Sequence, residues 1–436
     1  MTAYLEISKM SSYKQIWPTP KLYGVGHFTE FNLYKEALLI AKSKGFIDQA
    51  LLVSEIPQRV KGLILVDSIS KTVYADLIRE LIHYGFIKRE SKNDLYWITD
   101  DGLDYLDLCS SNKEKAMEKL LDQMQSVFVT PAWFINRLWE LNRKGQGQIV
   151  IPLPLKKPLT SRKWSDNTWT TELEEVSLST IRLVQKKIPG SFPYDEQCWI
   201  RDLSEEFLRL GSQSPKINNP EIPNDEVNYS QRNRLSLAMK TIAVKKFFSR
   251  CNPNSGEMEF PNKRSDMTHR SFMVWCPRLE NFNLICYTDY HPDIPGRILY
   301  PISSFKDECP SDNFSCKRFI TDLEGRCLYV HTPKWESIKK IFIDTLIEVY
   351  QIYYNKQTII YISLQDIRDE VCRLLRISPF LFEKYLQITY EMSVRHEINY
   401  SISLETDIRL DMKVQLNRRG VYLNGIMYSL IAIKPL

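Results

Sequence analysis

One short stretch of the sequence combines residue types that could bind a metal ion. Asp289, His291 and Asp293 alternate within TDYHPDIPG. Carboxylates and an imidazole on an extended segment could hold a divalent cation for phosphodiester cleavage. A nuclease also needs further acidic residues or a lysine brought near by the fold, and the two prolines and the glycine of this stretch predict a plain turn. We therefore predict no catalytic residues and no metal site. A metal-dependent nuclease using residues 289–293 is the alternative.

Cysteine usage gives a second possible metal site. The chain has nine cysteines, and six of them fall between residues 251 and 327, with three histidines nearby: Cys251, Cys276, Cys286, Cys309, Cys316, Cys327, His269, His291 and His331. Tetrahedral zinc takes such ligands, but no pair has the short spacing of a zinc knuckle. Buried free cysteines are the preferred interpretation. The sequence also lacks the Walker loop, the G-x-S-x-G elbow and the H-E-x-x-H pair, so we predict no cofactor.

The most basic segment is QRNRLSLAMKTIAVKKFFSR, residues 231–250, which contains no acidic residue. As a helix it places Leu235, Met239, Ile242 and Phe247 on one face. A basic helix can neutralise phosphates and release counterions. The alternative is a solvated helix that pairs with acidic residues from elsewhere in the chain. The candidate DNA contacts in this segment are Arg232, Arg234, Lys240, Lys245 and Lys246.

The stretch 145–170 also mixes basic and aromatic residues. Pro152, Pro154 and Pro158 forbid a helix, so it is predicted to be extended. Its four cations lie beside Trp164 and Trp169, a combination that can grip a nucleic-acid backbone and stack on bases. A linker packed across a neighbouring domain is the alternative interpretation.

Composition places the chain among ordinary globular proteins. It has 436 residues, 43% hydrophobic and 25% charged, with a formal net charge of +5, which predicts two to four domains at about 150 residues each. The charge is weakly basic, so nucleic-acid binding would depend on a local patch. No apolar run reaches the roughly 18 residues of a membrane span, and the N-terminus does not resemble a secretory signal. The odd number of cysteines favours a reduced, cytoplasmic setting, with no membrane partner.

The elements that would position a nucleic acid are concentrated in residues 32–108. Val73, Leu77, Ile78 and Leu81 recur at helical spacing. Gly85 stands where a helix is expected to end. FIKRE and LYWIT then flank the polar turn SKND, which is typical of a hairpin. A closing helix is predicted after Thr99, its N-cap, with Asp100 and Asp101 in its first turn.

This order of elements, followed by the run T-x-x-G-x-x-Y-L, resembles the winged helix-turn-helix superfamily. The resemblance implies binding to nucleic acid or protein more than chemistry. The recognition helix would lie in the major groove and the wing would touch phosphates. The helix at 70–84 also carries Asp76 and Glu80, which balance its cations and keep protein docking as a rival. The DNA contacts that the resemblance implies are Ser70, Lys71, Thr72, Tyr74, Lys88, Arg89 and Lys92.

The C-terminal part repeats this plan, with a long helix from about Thr332 to Asn355 and a stripe of seven core residues along it. A short strand, two helices and strand-like runs follow, with wings predicted near 405–407 and 418–420. SFMVWC, FNLICYTDY, RILYPI, KRFIT and CLYVH are predicted as strands. The predicted divisions are a lead-in 1–31, a winged helix 32–111, a helical connector 112–210, a flexible loop 211–230, a basic helix with a β-rich region 231–331, and a long helix with a winged-helix-like domain 332–436.

The sequence therefore predicts an α+β protein, mainly α, with an N-terminal winged helix, a middle region holding a small antiparallel sheet, and a C-terminal winged-helix-like domain. The predicted function is a non-enzymatic DNA-binding or adaptor subunit of a DNA-processing or antiviral defence complex. Its partners would be duplex DNA and another protein or a second copy of the chain. A scaffold that docks proteins without touching DNA is a further alternative.

Overall fold

A computed structural model gives the structure of the chain and describes residues 31–59, 71–89, 94–127, 134–135, 137–138, 141, 148–155, 169–192, 195–211, 224–248, 269–288, 291, 293–305, 314–321, 327–357, 359–406, 421–424 and 426–436. Helices dominate this part of the chain. They are α1 Asn32–Lys44, α2 Gln49–Arg59, α3 Lys71–His83, α4 Asp100–Ser111, α5 Lys113–Val127, α6 Thr171–Lys187, α7 Glu196–Gly211, α8 Asn224–Phe247, α9 His269–Asn281, α10 Trp335–Gln357, α11 Leu364–Leu375 and α12 Pro379–Val394.

The strands are short and pair antiparallel. They are β1 Ile87–Arg89, β2 Tyr96–Ile98, β3 Ile149–Pro152, β4 Ile285–Tyr287, β5 Gly296–Pro301, β6 Ser303–Phe305, β7 Phe314–Thr321, β8 Cys327–Pro333, β9 Ile362–Ser363, β10 Tyr400–Glu405, β11 Val421–Leu423, β12 Ile426–Tyr428 and β13 Leu430–Pro435. The sheets have the orders β1-β2, β3-β5-β4, β6-β8-β7, β10-β13-β9 and β11-β12. The prediction of a mainly helical α+β protein with small antiparallel sheets is confirmed.

Residues 32–111, here called the N-terminal unit, form three helices, a hairpin and a closing helix. Ile47, between α1 and α2, makes an isolated bridge to Tyr96 of β2. The apolar face predicted for α3 is buried at Val73, Leu77 and Leu81. The unit therefore closes around one core, with the β1-β2 hairpin joined to its first helical connection.

The T-x-x-G-x-x-Y-L run fastens α4 to the base of the hairpin. Thr99 accepts a hydrogen bond from the Gly102 backbone at 3.1 Å and donates one to the Gly85 carbonyl at 2.6 Å. Gly85 itself has a positive φ of 72°, which glycine adopts without a Cβ penalty. Tyr105 stacks on Phe86 at 4.8 Å between ring centroids. Thr99 and Tyr105 of the run thus hold α4 against the hairpin.

The C-terminal unit, residues 335–436, has a related order. The long helix α10 leads to β9, then α11 and α12, then β10 and β13, and β13 lies between β10 and β9 in the sheet. Ser378 caps α12 by accepting from the Leu381 backbone at 3.2 Å, as Ser-Pro at this position predicts. The run predicted as one strand, VYLNGIMYSLIAI, is divided into β11, β12 and β13. A turn at Asn424, with φ 51°, separates β11 from β12, and Ser429 separates β12 from β13. The wing predicted at 418–420 lies outside the described residues.

The prediction of a strand at SFMVWC was wrong, because these residues belong to α9. Val274, Trp275 and Cys276 are consecutive and all buried. A short apolar run fits a buried strand as well as part of a buried helix, and six residues are too few for the period to distinguish the two. The runs RILYPI, KRFIT and CLYVH do form β5, β7 and β8. Residues 149–152 of the extended stretch add β3 to the same small sheet as β5.

The long helix differs from its predicted bounds and stripe. It begins at Trp335, while Thr332 and Pro333 end β8. Ile338, Phe342, Leu346 and Val349 are buried as expected, whereas Ile341 is 56% exposed and Ile352 is 45% exposed. The seven-residue stripe was too wide, because it spans more of the helix circumference than the core covers.

The basic helix is also longer than predicted. α8 begins at Asn224, inside the segment 211–230 that was predicted to be a flexible loop. Leu235, Met239, Ile242 and Phe247 are buried, as their spacing predicted.

Candidate nucleic-acid interface

The two acidic residues of α3 face the protein interior. Asp76 is 5% exposed and Glu80 is 3% exposed. Both lie on the arc of the helix that also buries Val73 and Leu77. The solvent side instead shows Arg79, whose guanidinium contacts the Asp76 carboxylate at 2.7 Å while its own side chain is 42% exposed. The sequence argument that Glu80 cancels the positive charge of this helix is therefore corrected.

Glu80 is neutralised by an arginine far along the chain. The Arg278 guanidinium, on α9, donates to both Glu80 carboxylate oxygens at 3.0 and 3.1 Å, and its side chain is fully buried. Tyr34 also donates to Glu80, and the Tyr84 hydroxyl lies 3.4 Å from the same oxygen. Burial alone would lower the pKa of Arg278, but Glu80 outweighs that effect and raises the pKa. This network joins the N-terminal unit to the middle of the chain.

The hairpin presents two cations to solvent. Lys88 and Arg89 are exposed on β1, opposite Trp97 and Tyr96 of β2. Arg89 contacts Asp94 at 2.6 Å, and both of these side chains are exposed. Such surface pairs contribute little stability, so Arg89 can exchange Asp94 for a phosphate. Both residues can therefore act as the sequence predicted.

The remaining predicted contacts of the N-terminal unit differ in outcome. Tyr74 is 3% exposed, and burial raises the pKa of its hydroxyl. The prediction that it contacts DNA is corrected, because its ring packs into the core. Lys71 and Thr72 lie in the first turn of α3, but their side chains are not described. Ser70 and Lys92 lie outside the described residues.

Arg234 of α8 is also buried, and its predicted role as a phosphate contact is corrected. Its guanidinium donates to the Phe207 carbonyl at 2.7 Å and stacks over the Phe207 ring at 3.9 Å from the centroid. A Cβ added to Gly211 would lie 1.8 Å from this guanidinium. Gly211 therefore leaves the space in which Arg234 ties α8 to the end of α7.

The other cations of α8 lie near acidic residues. Lys245 and Lys246 are exposed, while Arg232 and Lys240 are half-buried. Lys245 and Lys246 line a cleft of about 430 Å³ together with Asp202, Glu205, Glu206, Arg209 and Ile242. The acidic side chains of α7 lower the positive potential there. This arrangement favours the alternative in which the basic helix pairs with acidic residues of the same chain.

The solvent side of α12 differs from that of α3. The β11-β12 hairpin crosses it: the Gln387 amide donates to the Asn424 side chain at 2.8 Å, and the Tyr422 backbone donates to Glu383 at 3.4 Å. Large apolar side chains remain exposed on the helix and on the hairpin, namely Phe380, Val394, Tyr422 and Ile426. A helix covered in this way does not present a bare face to a major groove.

The stretch that could bind a metal instead holds structural contacts. The Asp293 backbone donates to Nδ1 of His291 at 3.1 Å, so Nε2 carries the proton and donates to Glu370 at 3.0 Å. Asp293 itself pairs with Lys356. Asp289 lies outside the described residues. Among the residues that the structure describes, no cluster of three His, Cys, Asp or Glu side chains is placed to hold a metal, and the thiols of Cys276 and Cys286 are buried.

These contacts give stability a specific pH dependence. Burial alone would raise the pKa of Glu370, but hydrogen bonds from Arg373 and His291 outweigh it and lower the pKa to about 2. A carboxyl with a lowered pKa stabilises the fold above its ordinary pKa, and that contribution is lost as the pH falls towards 2. We expect Glu370→Gln to be less stable than wild type by on the order of 2 kcal/mol at pH 6.

The difference between the two proteins should shrink as the pH falls below 4. Urea unfolding at pH 6 and pH 3 measures it, with Glu336→Gln, an exposed carboxyl on α10, as the matched control. A difference between wild type and Glu370→Gln that stays constant with pH would contradict the assignment.

Comparison with known proteins gives little beyond this geometry. No family model and no solved structure matches the chain. The chain is similar to "Uncharacterized protein 229L" of Invertebrate iridescent virus 3, with 25% identity over 194 residues, which cover 43% of this chain. The match spans only 29% of that viral protein's length. In the described residues, no helix combines the length and the apolar character that crossing a membrane requires.

Proposed function

We propose that this protein is a non-enzymatic adaptor with two winged-helix units, of which the N-terminal one contacts duplex DNA and the C-terminal one docks to a protein. The winged-helix assignment of the N-terminal unit is supported by the order of its elements: a helix, a strand residue, two helices and a hairpin. The strand order β10-β13-β9 supports it in the C-terminal unit. A role in a DNA-processing or antiviral defence complex is the setting in which we expect such an adaptor.

The observation that carries the proposal is the difference between the two equivalent helices. The acidic residues of α3 face inward, where Arg278 neutralises Glu80, so Arg79 and the hairpin cations Lys88 and Arg89 are left towards solvent. Phosphates bind such exposed cations, with release of counterions. On α12 the corresponding side is crossed by a hairpin and shows apolar side chains, a composition suited to a protein partner.

Fluorescence anisotropy with random duplex DNA across a salt series tests the first half of the proposal. Lys88→Glu combined with Arg89→Glu should weaken binding about tenfold or more and flatten the dependence of log K on log salt, because each lost phosphate contact lowers the slope by about one. The matched control is Lys186→Glu with Lys187→Glu, two exposed cations at the end of α6. If the control pair lowers affinity equally, the hairpin is not the contact.

Two other results would select the alternatives. No DNA affinity at about 50 mM salt, together with a stable complex with another protein, would leave a docking scaffold. Plasmid cleavage with magnesium or manganese that Asp289→Ala abolishes would indicate the nuclease.

A further inference from the structure

The long helix α10 presents one line of side chains towards solvent, exposed at Ile341, Glu348 and Ile352 and half-buried at Thr345. Ile341, Thr345, Glu348 and Ile352 are separated by four, three and four positions, a spacing that places all of them on one side of a helix. Ile341 is 56% exposed and Ile352 is 45% exposed, at opposite ends of the line. Within the described part of the chain, the buried side of α10 is formed by other residues, among them Phe342, Leu346 and Val349.

We propose that this line is the interface between two copies of the chain, with the two α10 helices packed antiparallel about a twofold axis. In such an interface residue i of one copy faces residue j of the other, and j faces i. Ile341 and Ile352 lie equally far from the midpoint between Leu346 and Ile347. An antiparallel pair centred at that midpoint therefore places each isoleucine against the other isoleucine of the second copy.

The polar residues of the line match in the same register. Thr345 and Glu348 are also symmetric about the midpoint, so each threonine hydroxyl can donate to a Glu348 carboxylate of the second copy. In a parallel pair, Glu348 would instead face Glu348 of the second copy, and like charges that face each other are destabilising. The charge pattern thus selects the antiparallel arrangement.

The expected complex is reversible. α10 has 23 residues, so it is about 34 Å long, and one helix pair of this length buries less than the roughly 1,600 Å² of a standard interface. We expect dissociation at micromolar concentrations. This inference does not depend on DNA binding, because α10 carries none of the DNA contacts proposed above.

Sedimentation velocity of the full chain from about 1 to 100 μM tests the interface, in the range where weak protein pairs dissociate. Wild type should shift from monomer to dimer, and Ile341→Glu or Ile352→Glu should each raise the dissociation constant at least about tenfold, because symmetry introduces every change twice. Leu208→Glu, at an exposed leucine of α7, is the control and should leave association unchanged. Wild type that stays monomeric, or a dimer insensitive to both isoleucine variants, would overturn the proposal.

A second pair of variants tests the register. Thr345→Lys places a cation against Glu348 of the second copy and should tighten the dimer, whereas Thr345→Glu places two carboxylates together and should weaken it. Circular dichroism shows whether both variants are folded. Equal effects of the two substitutions would exclude the antiparallel register.

Discussion

Replacing Glu80 by Gln is expected to destabilise the protein by about 3 to 5 kcal/mol, the usual cost of removing one partner from a buried ion pair. The carboxylate receives two hydrogen bonds from Arg278 and further contacts from Tyr34 and Tyr84. Without its charge, the fully buried guanidinium loses the carboxylate that it contacts at 3.0 Å. Equilibrium unfolding in urea at neutral pH measures the change in the free energy of unfolding.

Two further variants separate this mechanism from a general effect of the substitution. Glu55→Gln makes the same chemical change in a partly exposed ion pair with Lys44 and Arg59 and should cost less than about 1 kcal/mol. Glu80→Met combined with Arg278→Leu removes both charges, and should recover much of the stability, since well-packed apolar residues often replace a buried pair without loss. A Glu80→Gln variant as stable as Glu55→Gln would show that the pair does not hold the two parts of the chain together.

Replacing Gly102 by Ala should lower the free energy of unfolding by about 3 kcal/mol, near the upper end of overpacking effects. The added Cβ would lie 2.3 Å from the Phe86 carbonyl oxygen and 2.8 Å from a side-chain carbon of Ile98. The carbonyl belongs to the backbone next to β1, so it moves only if α4 shifts away from the hairpin. That shift would also weaken the hydrogen bonds made by Thr99.

The sign of this effect discriminates between packing and helix propensity. At an unhindered helical position, alanine is more favourable than glycine by about 1 kcal/mol, so propensity alone predicts a gain in stability. Ser111→Ala, at an exposed position near the end of the same helix, is the control and should stay within about 0.5 kcal/mol. Thermal or urea unfolding of the two variants measures the contrast, and a Gly102→Ala variant more stable than wild type would contradict the close approach of α4 and β1.

Much of the local structure follows from short-range sequence signals. Thr99, Ser378 and Gly85 are at helix ends because caps and left-handed residues act on neighbours within one turn. The strands at RILYPI and CLYVH were found because β-branched and aromatic residues alternate between turn residues. The same reasoning failed at SFMVWC, because a short apolar run fits a buried strand as well as part of a buried helix. The prediction of core residues also failed at Ile341 and Ile352, since apolar spacing does not show how far the core extends around a helix.

The candidate DNA interface was predicted only in part. Lys88 and Arg89 were predicted as contacts from the polar turn of a hairpin, which is a local feature, and both side chains are exposed. Tyr74 and Arg234 were assigned wrongly, because a polar side chain on a helix can face either solvent or a neighbouring helix. Arg79 was not among the predicted contacts; its side chain is 42% exposed, although it pairs with Asp76.

The sequence by itself therefore determined many of the elements, several of their caps and the presence of cations on the hairpin, because these depend on residues close together in the chain. Only the tertiary structure decided which charges face solvent. Glu80 and Arg278 meet across 198 positions of sequence, and Gln387 meets Asn424 only because a hairpin folds back over α12. Burial and pairing of charges arise from contacts between distant segments, so no local sequence pattern predicts them.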